Sequence, residues 1–117
     1  ELYLASNNSA NIESEIIKLT SDKKIDALIC MEQQSTISIH SLLLNLGYKI
    51  PSDIAILGFT DGPMYEFIKP SITCVNQHGE YLGKYSAKIL LDRINNKLGY
   101  EFIDEKIPTS LIIREST

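Results

Sequence analysis

The sequence is poor in the residue types that metal sites and disulfides need. It contains 2 cysteines, 2 histidines and no tryptophan among its 117 residues. Neither His40 nor His78 has a cysteine or carboxylate at metal-ligand spacing, so we predict no metal site. Cys30 and Cys74 both lie within apolar segments, which favours reduced core residues over a disulfide.

Long apolar runs and a concentrated positive charge are also absent. No apolar run approaches the roughly 20 residues that a membrane-spanning helix needs, so no contact with a membrane is predicted. Lysine and arginine number 11 against 15 aspartates and glutamates, which gives a formal net charge of -4. Because the basic residues are scattered along the chain, these residues are not expected to bind nucleic acid themselves.

Motifs that carry catalysis or hold a cofactor are missing as well. There is no G-x-S-x-G, G-x-G-x-x-G or P-loop pattern, and no aspartate has an evident acid/base partner. A phospho-acceptor receiver would need acidic residues at the end of its first strand and an aspartate at the end of its third. Ala5-Ser6-Asn7 and Phe59-Thr60 do not provide them. We therefore predict a protein that is not an enzyme and that uses no cofactor.

What the sequence does contain is an alternation of short apolar runs and amphipathic stretches. The apolar runs predict strands over residues 2–5, 25–31, 54–57, 72–75 and 107–113. The amphipathic stretches predict helices over residues 10–21, 35–46 and 81–97. Such alternation, with short loops, indicates an α/β fold with right-handed βαβ crossovers and a parallel sheet. Pro108 inside the last run indicates an edge strand or a bend.

Polar side chains follow two of these strands directly. Thr60 and Asp61 come just after the strand that ends at Gly58-Phe59, and Glu32 and Gln33 follow the preceding strand. Parallel strands bring their carboxyl ends to one edge of the sheet, which is where α/β folds bind ligands. Hydroxyl, amide and carboxylate groups at such an edge suit a ligand rich in hydroxyl groups. We therefore predict that these four residues bind a small molecule.

The helix over residues 35–46 carries apolar residues on two faces. One face supplies a core stripe, whereas Ile37 and Leu44 point elsewhere, with His40 and Ser41 between them. A second apolar stripe on a surface helix needs a partner. That partner is either a second copy of the chain or a neighbouring loop.

Four segments, in order, resemble one known family. Residues 51–61 fit the pattern P-x-D-[IV]-[AS]-[VIL]-x-G-[FY]-x-[DN], and residues 70–77 resemble P-x-L-T-T-[VI]-x-Q. Residues 82–94 resemble [ML]-G-x-x-A-x-x-L-L-x-x-I, and residues 111–117 resemble L-[IV]-[VI]-R-x-S-[ST]. The resemblance covers roughly residues 25 to 117. The four segments are similar to the effector-binding domain of transcriptional regulators of the lactose and galactose repressor (LacI/GalR) type.

The resemblance implies a periplasmic-binding-protein-like fold of type I, with two subdomains joined by three crossovers around a ligand cleft. Residues 1–69 would belong to the C-terminal subdomain. Residues 70–98 would form a crossover and a helix of the other subdomain, and residues 99–117 a returning strand. The chain would then be a fragment of a cytoplasmic regulator that binds operator DNA through a missing N-terminal helix-turn-helix. We expect the helix over residues 81–97 to pack on the fragment's own sheet or on a neighbouring copy.

The resemblance also bears on the ligand-binding residues. The family usually carries Asn-Asp where this sequence has Glu32-Gln33. Its sugar-binding members carry an aspartate that binds ligand hydroxyls where this sequence has Thr60. Either the effector is not a simple neutral sugar, or Asp61 or Glu32 has taken that role. Gln77, which ends the crossover segment, is a further candidate contact.

The family forms dimers through the helix over residues 35–46 and the loop before the crossover. Here that loop supplies Tyr65, Phe67 and Ile68 to the predicted homodimer interface. The alternative function is a periplasmic sugar-binding transport receptor of the same fold. The closing segment over residues 113–117, the crossover over residues 73–77 and two apparently unpaired cysteines favour the regulator.

Overall fold

The computed structural model describes residues 9–22, 25–99 and 101–117. The helices are α1 (Ser9–Ser21), α2 (Gln33–Asn45) and α3 (Gly79–Ile94), and a 3₁₀ turn covers Pro63–Glu66. The strands are β1 (Ala27–Cys30), β2 (Ala55–Gly58), β3 (Thr73–Asn76) and β4 (Ser110–Ile112). Every predicted helix and strand in the described ranges is present, with ends shifted by a few residues. The strand predicted over residues 2–5 lies outside the described residues.

The four strands form one sheet in the order β1-β2-β3-β4. The pairs β1–β2 and β2–β3 are parallel, as the alternating pattern predicts, whereas β4 runs antiparallel to β3. The antiparallel strand arises because α3 does not lead the chain back across the sheet as a crossover helix does. The chain returns instead from the carboxyl end of β3 and runs down beside it. The last strand is therefore an edge strand that begins after Pro108.

The core lies on the side of the sheet that α2 covers. Cys30 and Cys74 both pair with Gly58 in the sheet register, so one row across three strands places a glycine between two cysteines. The Tyr65 ring fills the space above that glycine, because a Cβ built on Gly58 would lie 2.6 Å from Cε2 of Tyr65. Both cysteines are free and buried, as predicted. Two strand spacings, about 10 Å, separate their backbones, which is too far for a disulfide.

The C-terminal residues hold β2 and β3 together where these strands no longer pair directly. Ile56 donates its backbone N–H to the carbonyl of Ser116 (2.9 Å). The Ser116 hydroxyl donates to the carbonyl of Ile56 (2.6 Å) and accepts the N–H of Thr73 (2.8 Å). Since Ser116 is fully buried, these bonds satisfy strand groups that water cannot reach.

Helix α3 departs from the fold that the sequence predicts. None of its residues is buried. The radius of gyration is 18.4 Å and the longest dimension 58 Å, whereas a compact chain of this length has a radius of about 13 Å. Of the two partners expected for this helix, the chain's own sheet is therefore ruled out, whereas a neighbouring copy stays a prediction. The contacts of α3 are instead with the segment that follows it, where Arg93 donates to the carbonyl of Glu101 (2.7 Å) and Tyr85 donates to Glu105.

Candidate functional site

The carboxyl ends of β1 and β2 meet at one edge of the sheet. Phe59 donates its N–H to the carbonyl of Cys30 (2.8 Å), which joins the two strand ends. The Gln33 side chain lies against the next turn of the chain, because a Cβ built on Gly62 would be 2.5 Å from Cδ of Gln33. The structure thus brings Gln33 together with the loop that carries Thr60 and Asp61, and a side chain at position 62 would have to displace the Gln33 amide.

Glu32 lies at the start of α2 on the same edge. Its carbonyl accepts the backbone N–H of Thr36 (3.0 Å) and the Thr36 hydroxyl (2.7 Å), which begins the helix. Its carboxylate accepts the Ser35 hydroxyl (2.8 Å) and is otherwise exposed. The carboxylate therefore keeps free acceptor capacity toward the solvent side of the edge.

Asp61 is held by the scaffold. Its Oδ1 accepts Nη2 of Arg114 (3.2 Å) and the thiol of Cys74 (3.2 Å). Nη1 of Arg114 donates to the carbonyl of Ile72 (2.8 Å) and to Sγ of Cys74 (3.0 Å). Burial, reinforced by Asp61, raises the pKa of the Cys74 thiol, so the thiol stays protonated and can donate to this carboxylate. One oxygen of Asp61 is thus committed to the fold.

Gln77 and Thr60 both lie next to the end of β2. Nε2 of Gln77 donates to the carbonyl of Phe59 (2.6 Å), which ties the crossover segment to the end of β2. The Thr60 hydroxyl is buried and makes no hydrogen bond to a described residue. Gln77 therefore helps to hold the loop that presents Asp61.

A pocket of about 520 Å³ opens where β3 passes into α3. Among the predicted ligand-binding residues only Asp61 lines it. The other lining residues are Asn76, His78, Gly79, Glu80, Tyr81 and Lys84. His78 could be placed from the sequence either in the cleft or in a solvated loop, and the first turn of α3 was not identified as part of a site. The available signal was that this segment follows β3, whose carboxyl end lies at the same edge of the sheet.

The pocket combines hydrogen-bonding groups of several kinds with an aromatic ring. His78 adopts a left-handed backbone (φ 52°), in which its N–H reaches Oδ1 of Asn76 (2.7 Å) and its Nε2 lies 3.2 Å from Oγ of Ser110. The Tyr81 ring stacks on Tyr85 with centroids 5.9 Å apart. Carboxylate, amide, imidazole and ammonium groups beside an aromatic face suit a polar, polyhydroxylated small molecule.

Two of the residues predicted to form the dimer interface are not at the surface of the chain. Tyr65 and His40 are buried in the chain's own core, so placing them at an interface was wrong. Burial lowers the pKa of His40, and its neutral ring lies with Nε2 3.0 Å from the carbonyl of Pro70, an atom that can only accept. The remaining predicted interface residues are exposed or half-buried: Ile37, Ser41, Leu44, Phe67 and Ile68.

The crossover at Pro70 is clamped from the C-terminal segment. The Glu115 carboxylate accepts the N–H of Ser71 (2.8 Å), the Ser71 hydroxyl (3.0 Å) and the Lys69 ammonium (3.1 Å). These bonds, that of the backbone N–H above all, lower the pKa of Glu115 to about 2. The segment between the predicted interface and the pocket is therefore fixed by charged hydrogen bonds.

Within the described ranges, no helix is both long and apolar enough to cross a membrane.

A largely parallel sheet covered by helices, with a polar pocket at the carboxyl ends of its strands, defines an α/β ligand-binding domain. A family model described as a periplasmic binding protein-like domain matches residues 3–117. The chain belongs to this family, and its relatives identify it as part of an effector-binding domain of the LacI type, as the four sequence segments predict.

Three relatives illustrate the similarity. The HTH-type transcriptional repressor PurR of Haemophilus influenzae is 34% identical over 102 residues, which cover 84% of this chain and 30% of that protein. A solved transcriptional regulator CelR–cellobiose complex has a TM-score of 0.80 at 28% identity, covering 90% of this chain and 31% of that one. A LacI family regulator from Enterococcus faecium with bound ribose has a TM-score of 0.80 at 29% identity, covering 92% of this chain and 40% of that one.

The chain thus spans between 30% and 40% of the length of these three relatives. All three are named as transcriptional regulators, so the similarity does not favour the transport receptor.

Proposed function

We propose that this chain is the ligand-sensing and dimerisation part of a cytoplasmic transcriptional regulator that responds to a sugar or sugar derivative. The pocket between Asp61 and the first turn of α3 carries the proposal, because its groups match a polyhydroxylated ligand. The family membership supports it, and two relatives are solved with cellobiose and ribose. The chain itself performs no catalysis in this proposal. Operator DNA is bound by a helix-turn-helix outside these 117 residues.

The proposed division of labour follows the fold. Residues 1–69 and 99–117 supply the sheet and its covering helices, and residues 70–98 supply the crossover and a helix of a second subdomain. The projection of α3 away from the sheet supports this division. A ligand bound in the pocket, where β3 passes into α3, then favours one arrangement of the two subdomains over another. This is a population shift between two states.

We propose direct ligand contacts from Asp61, Glu80 and Tyr81, with the exposed Glu32 carboxylate reaching from the same edge. Gln33, Thr60 and Gln77 form the wall behind them. Of the two alternatives for the gripping carboxylate, Asp61 fits better because it lines the pocket, whereas Glu32 does not.

Ribose and cellobiose, with a panel of other sugars and sugar acids, are expected to raise the melting temperature of the protein. The stabilisation should grow with concentration as RT ln(1 + [L]/Kd). Glu80→Gln or Tyr81→Leu should weaken binding of the active sugar by about tenfold, the effect of losing one good contact. Differential scanning fluorimetry measures the shift.

Lys88→Met is the matched control, since Lys88 lies on α3 outside the pocket and should leave the shift unchanged. If Glu80→Gln, Tyr81→Leu and Asp61→Ala all respond to the sugar as the parent chain does, the pocket is not the binding site.

The proposed homodimer uses the α2 surface, which we define as Ile37, Ser41, Leu44, Phe67 and Ile68. Leu44→Glu and Phe67→Glu are each expected to weaken self-association by at least tenfold, because they place a charge in a desolvated apolar contact. Sedimentation velocity measures the change. Ser38→Glu adds the same charge on another exposed side of α2 and should leave association unchanged. Equal association in all three variants would rule out this surface.

A further inference from the structure

Asp61, Cys74 and Arg114 form a closed triangle of hydrogen bonds beside the candidate pocket. Oδ1 of Asp61 accepts from Nη2 of Arg114 (3.2 Å) and from the Cys74 thiol (3.2 Å). Nη1 of Arg114 donates in turn to Sγ of Cys74 (3.0 Å). We name these three residues the Asp61 triangle. Asp61 follows β2, Cys74 lies in β3 and Arg114 follows β4, so the triangle forms only once these strands have assembled.

The sheet holds Cys74 and Arg114 in place. Cys74 is fully buried. Arg114 donates its backbone N–H to Oγ1 of Thr73 (2.8 Å), and its Nη1 donates to the carbonyl of Ile72 (2.8 Å). Three consecutive residues, from Ile72 to Cys74, therefore bind Arg114. Because a guanidinium presents its donors in a rigid plane, these bonds also fix the direction in which Nη2 points toward Asp61.

Asp61 is the member of the triangle that reaches the pocket. Its side chain is 29% exposed, and it is one of the pocket's lining residues. Oδ1 accepts two hydrogen bonds, whereas none of the residues that the structure describes donates to Oδ2. A side chain that the fold has already ordered costs a ligand less conformational entropy on binding. Oδ2 is thus presented in a fixed direction as an acceptor for a ligand hydroxyl.

The guanidinium of Arg114 also balances the charge of Asp61. A neutral hydroxyl can donate to Oδ2 without changing the net charge of this pair. A ligand ammonium at the same place would be attracted by Asp61 but repelled by the guanidinium bound to it, and it would lose part of its hydration. The paired carboxylate therefore favours a hydroxyl over an ammonium.

We propose that Arg114 and Cys74 are positioning residues for ligand recognition. They hold Oδ1 of Asp61, and Arg114 balances its charge, so that Oδ2 accepts a hydroxyl of a neutral sugar and discriminates against an amino sugar. This inference rests on the proposed function, because it takes the pocket beside Asp61 as the sugar site. It adds the charge class of the ligand and two residues that act on the ligand only through Asp61.

Amino sugars test the role of Arg114. Glucose is compared with derivatives in which an ammonium replaces each non-anomeric hydroxyl in turn, glucosamine among them, at about pH 6, where the amines are protonated. Isothermal titration calorimetry measures each Kd. The derivative whose ammonium meets Asp61 should bind the parent protein about tenfold more weakly than glucose does. Arg114→Met should weaken glucose binding by about tenfold and abolish this preference, since Asp61 is then unpaired and free to rotate. A purely structural defect would weaken all these sugars by one common factor.

Further variants separate positioning from charge. Cys74→Ala removes one donor to Oδ1 but leaves Arg114, so glucose should bind about threefold more weakly while the preference for glucose stays. Cys74→Ser restores a donor of similar size and should bind as the parent does. Lys88→Met removes a positive charge on α3 outside the pocket and should change neither quantity. Circular dichroism verifies that each variant is folded.

If Arg114→Met does not fold, Arg114→Lys takes its place. Lysine keeps the charge but has no planar fork, so glucose should bind several-fold more weakly with the preference retained. Parent-like affinity in both Arg114→Lys and Cys74→Ala would overturn the proposal.

Two other results would also overturn it: every amino sugar binding the parent as tightly as glucose, or Arg114→Met weakening all the sugars equally. If Asp61→Ala weakens sugar binding in either case, the pocket stands as the sugar site and only the positioning role fails. If glucose and its derivatives do not bind, this inference fails. The proposed function fails with it only when ribose and cellobiose are without effect as well.

Discussion

Replacing Tyr65 by alanine is expected to lower the free energy of unfolding by about 4 kcal/mol, as large aromatic-to-alanine changes in cores do. Tyr65 is fully buried, and its ring fills the space above Gly58 between two cysteine-bearing strands. No neighbouring side chain can move into so large a space without repacking the sheet face. Urea denaturation followed by circular dichroism measures the loss.

Two further variants serve as comparisons for Tyr65→Ala. Tyr65→Phe keeps the ring and should cost less than about 1 kcal/mol, because the hydroxyl makes no hydrogen bond to a described residue. Phe67→Ala removes a ring that is 75% exposed and should cost less than about 0.5 kcal/mol. A Phe67→Ala cost equal to that of Tyr65→Ala would contradict the placement of Tyr65 in the core.

The burial of Tyr65 could not be predicted from the sequence. Helices and strands could be predicted because apolar residues recur with the period of the backbone. The loop before the crossover has no such period, so nothing in the sequence separates an inward Tyr65 from an outward Phe67. The 3₁₀ turn over Pro63–Glu66 makes that distinction, and Gly58 beneath the ring is its counterpart in the sheet. Only the pairing of residues distant in sequence connects the two.

The pattern of α3 illustrates a related limit. An amphipathic stripe predicts that a helix buries one face, and the extent of α3 was predicted to within a few residues. The stripe does not indicate which surface the helix packs against. The same uncertainty affected β4, since its direction depends on whether the preceding helix crosses the sheet. Local propensity thus predicted the elements, while their arrangement depends on contacts between distant segments.

Of the five residues predicted to bind a ligand, one lines the candidate pocket, and the sequence could point to that one for a definite reason. The end of a parallel strand can be located from an apolar run and a glycine, and this rule led to Asp61, which does line the pocket. The rule does not show which polar groups the scaffold already uses. Gln77 donates to a backbone carbonyl, and one carboxylate oxygen of Asp61 accepts hydrogen bonds from Arg114 and Cys74. Those partners come from segments up to 53 residues away, so strand-end reasoning could not identify them.

Replacing Arg114 by methionine is expected to lower the free energy of unfolding by about 2 kcal/mol, since it breaks a partly buried ion pair and leaves the carbonyl of Ile72 without this donor. The Arg114 and Asp61 side chains are only 16% and 29% exposed. Methionine keeps much of the apolar stem but removes the bonds to Asp61 and to the carbonyl of Ile72. Urea denaturation at neutral pH measures the change.

Lys69→Met is the matched comparison, because it breaks an ion pair of similar length whose side chains are 70% and 54% exposed. Solvent screens that pair and Glu115 keeps its bonds to Ser71, so the cost should stay below about 1 kcal/mol.

Adding Asp61→Leu to Arg114→Met should restore part of the loss, since the unpaired carboxylate is removed with its partner. Equal costs for Arg114→Met and Lys69→Met would show that burial does not strengthen the Arg114 pair.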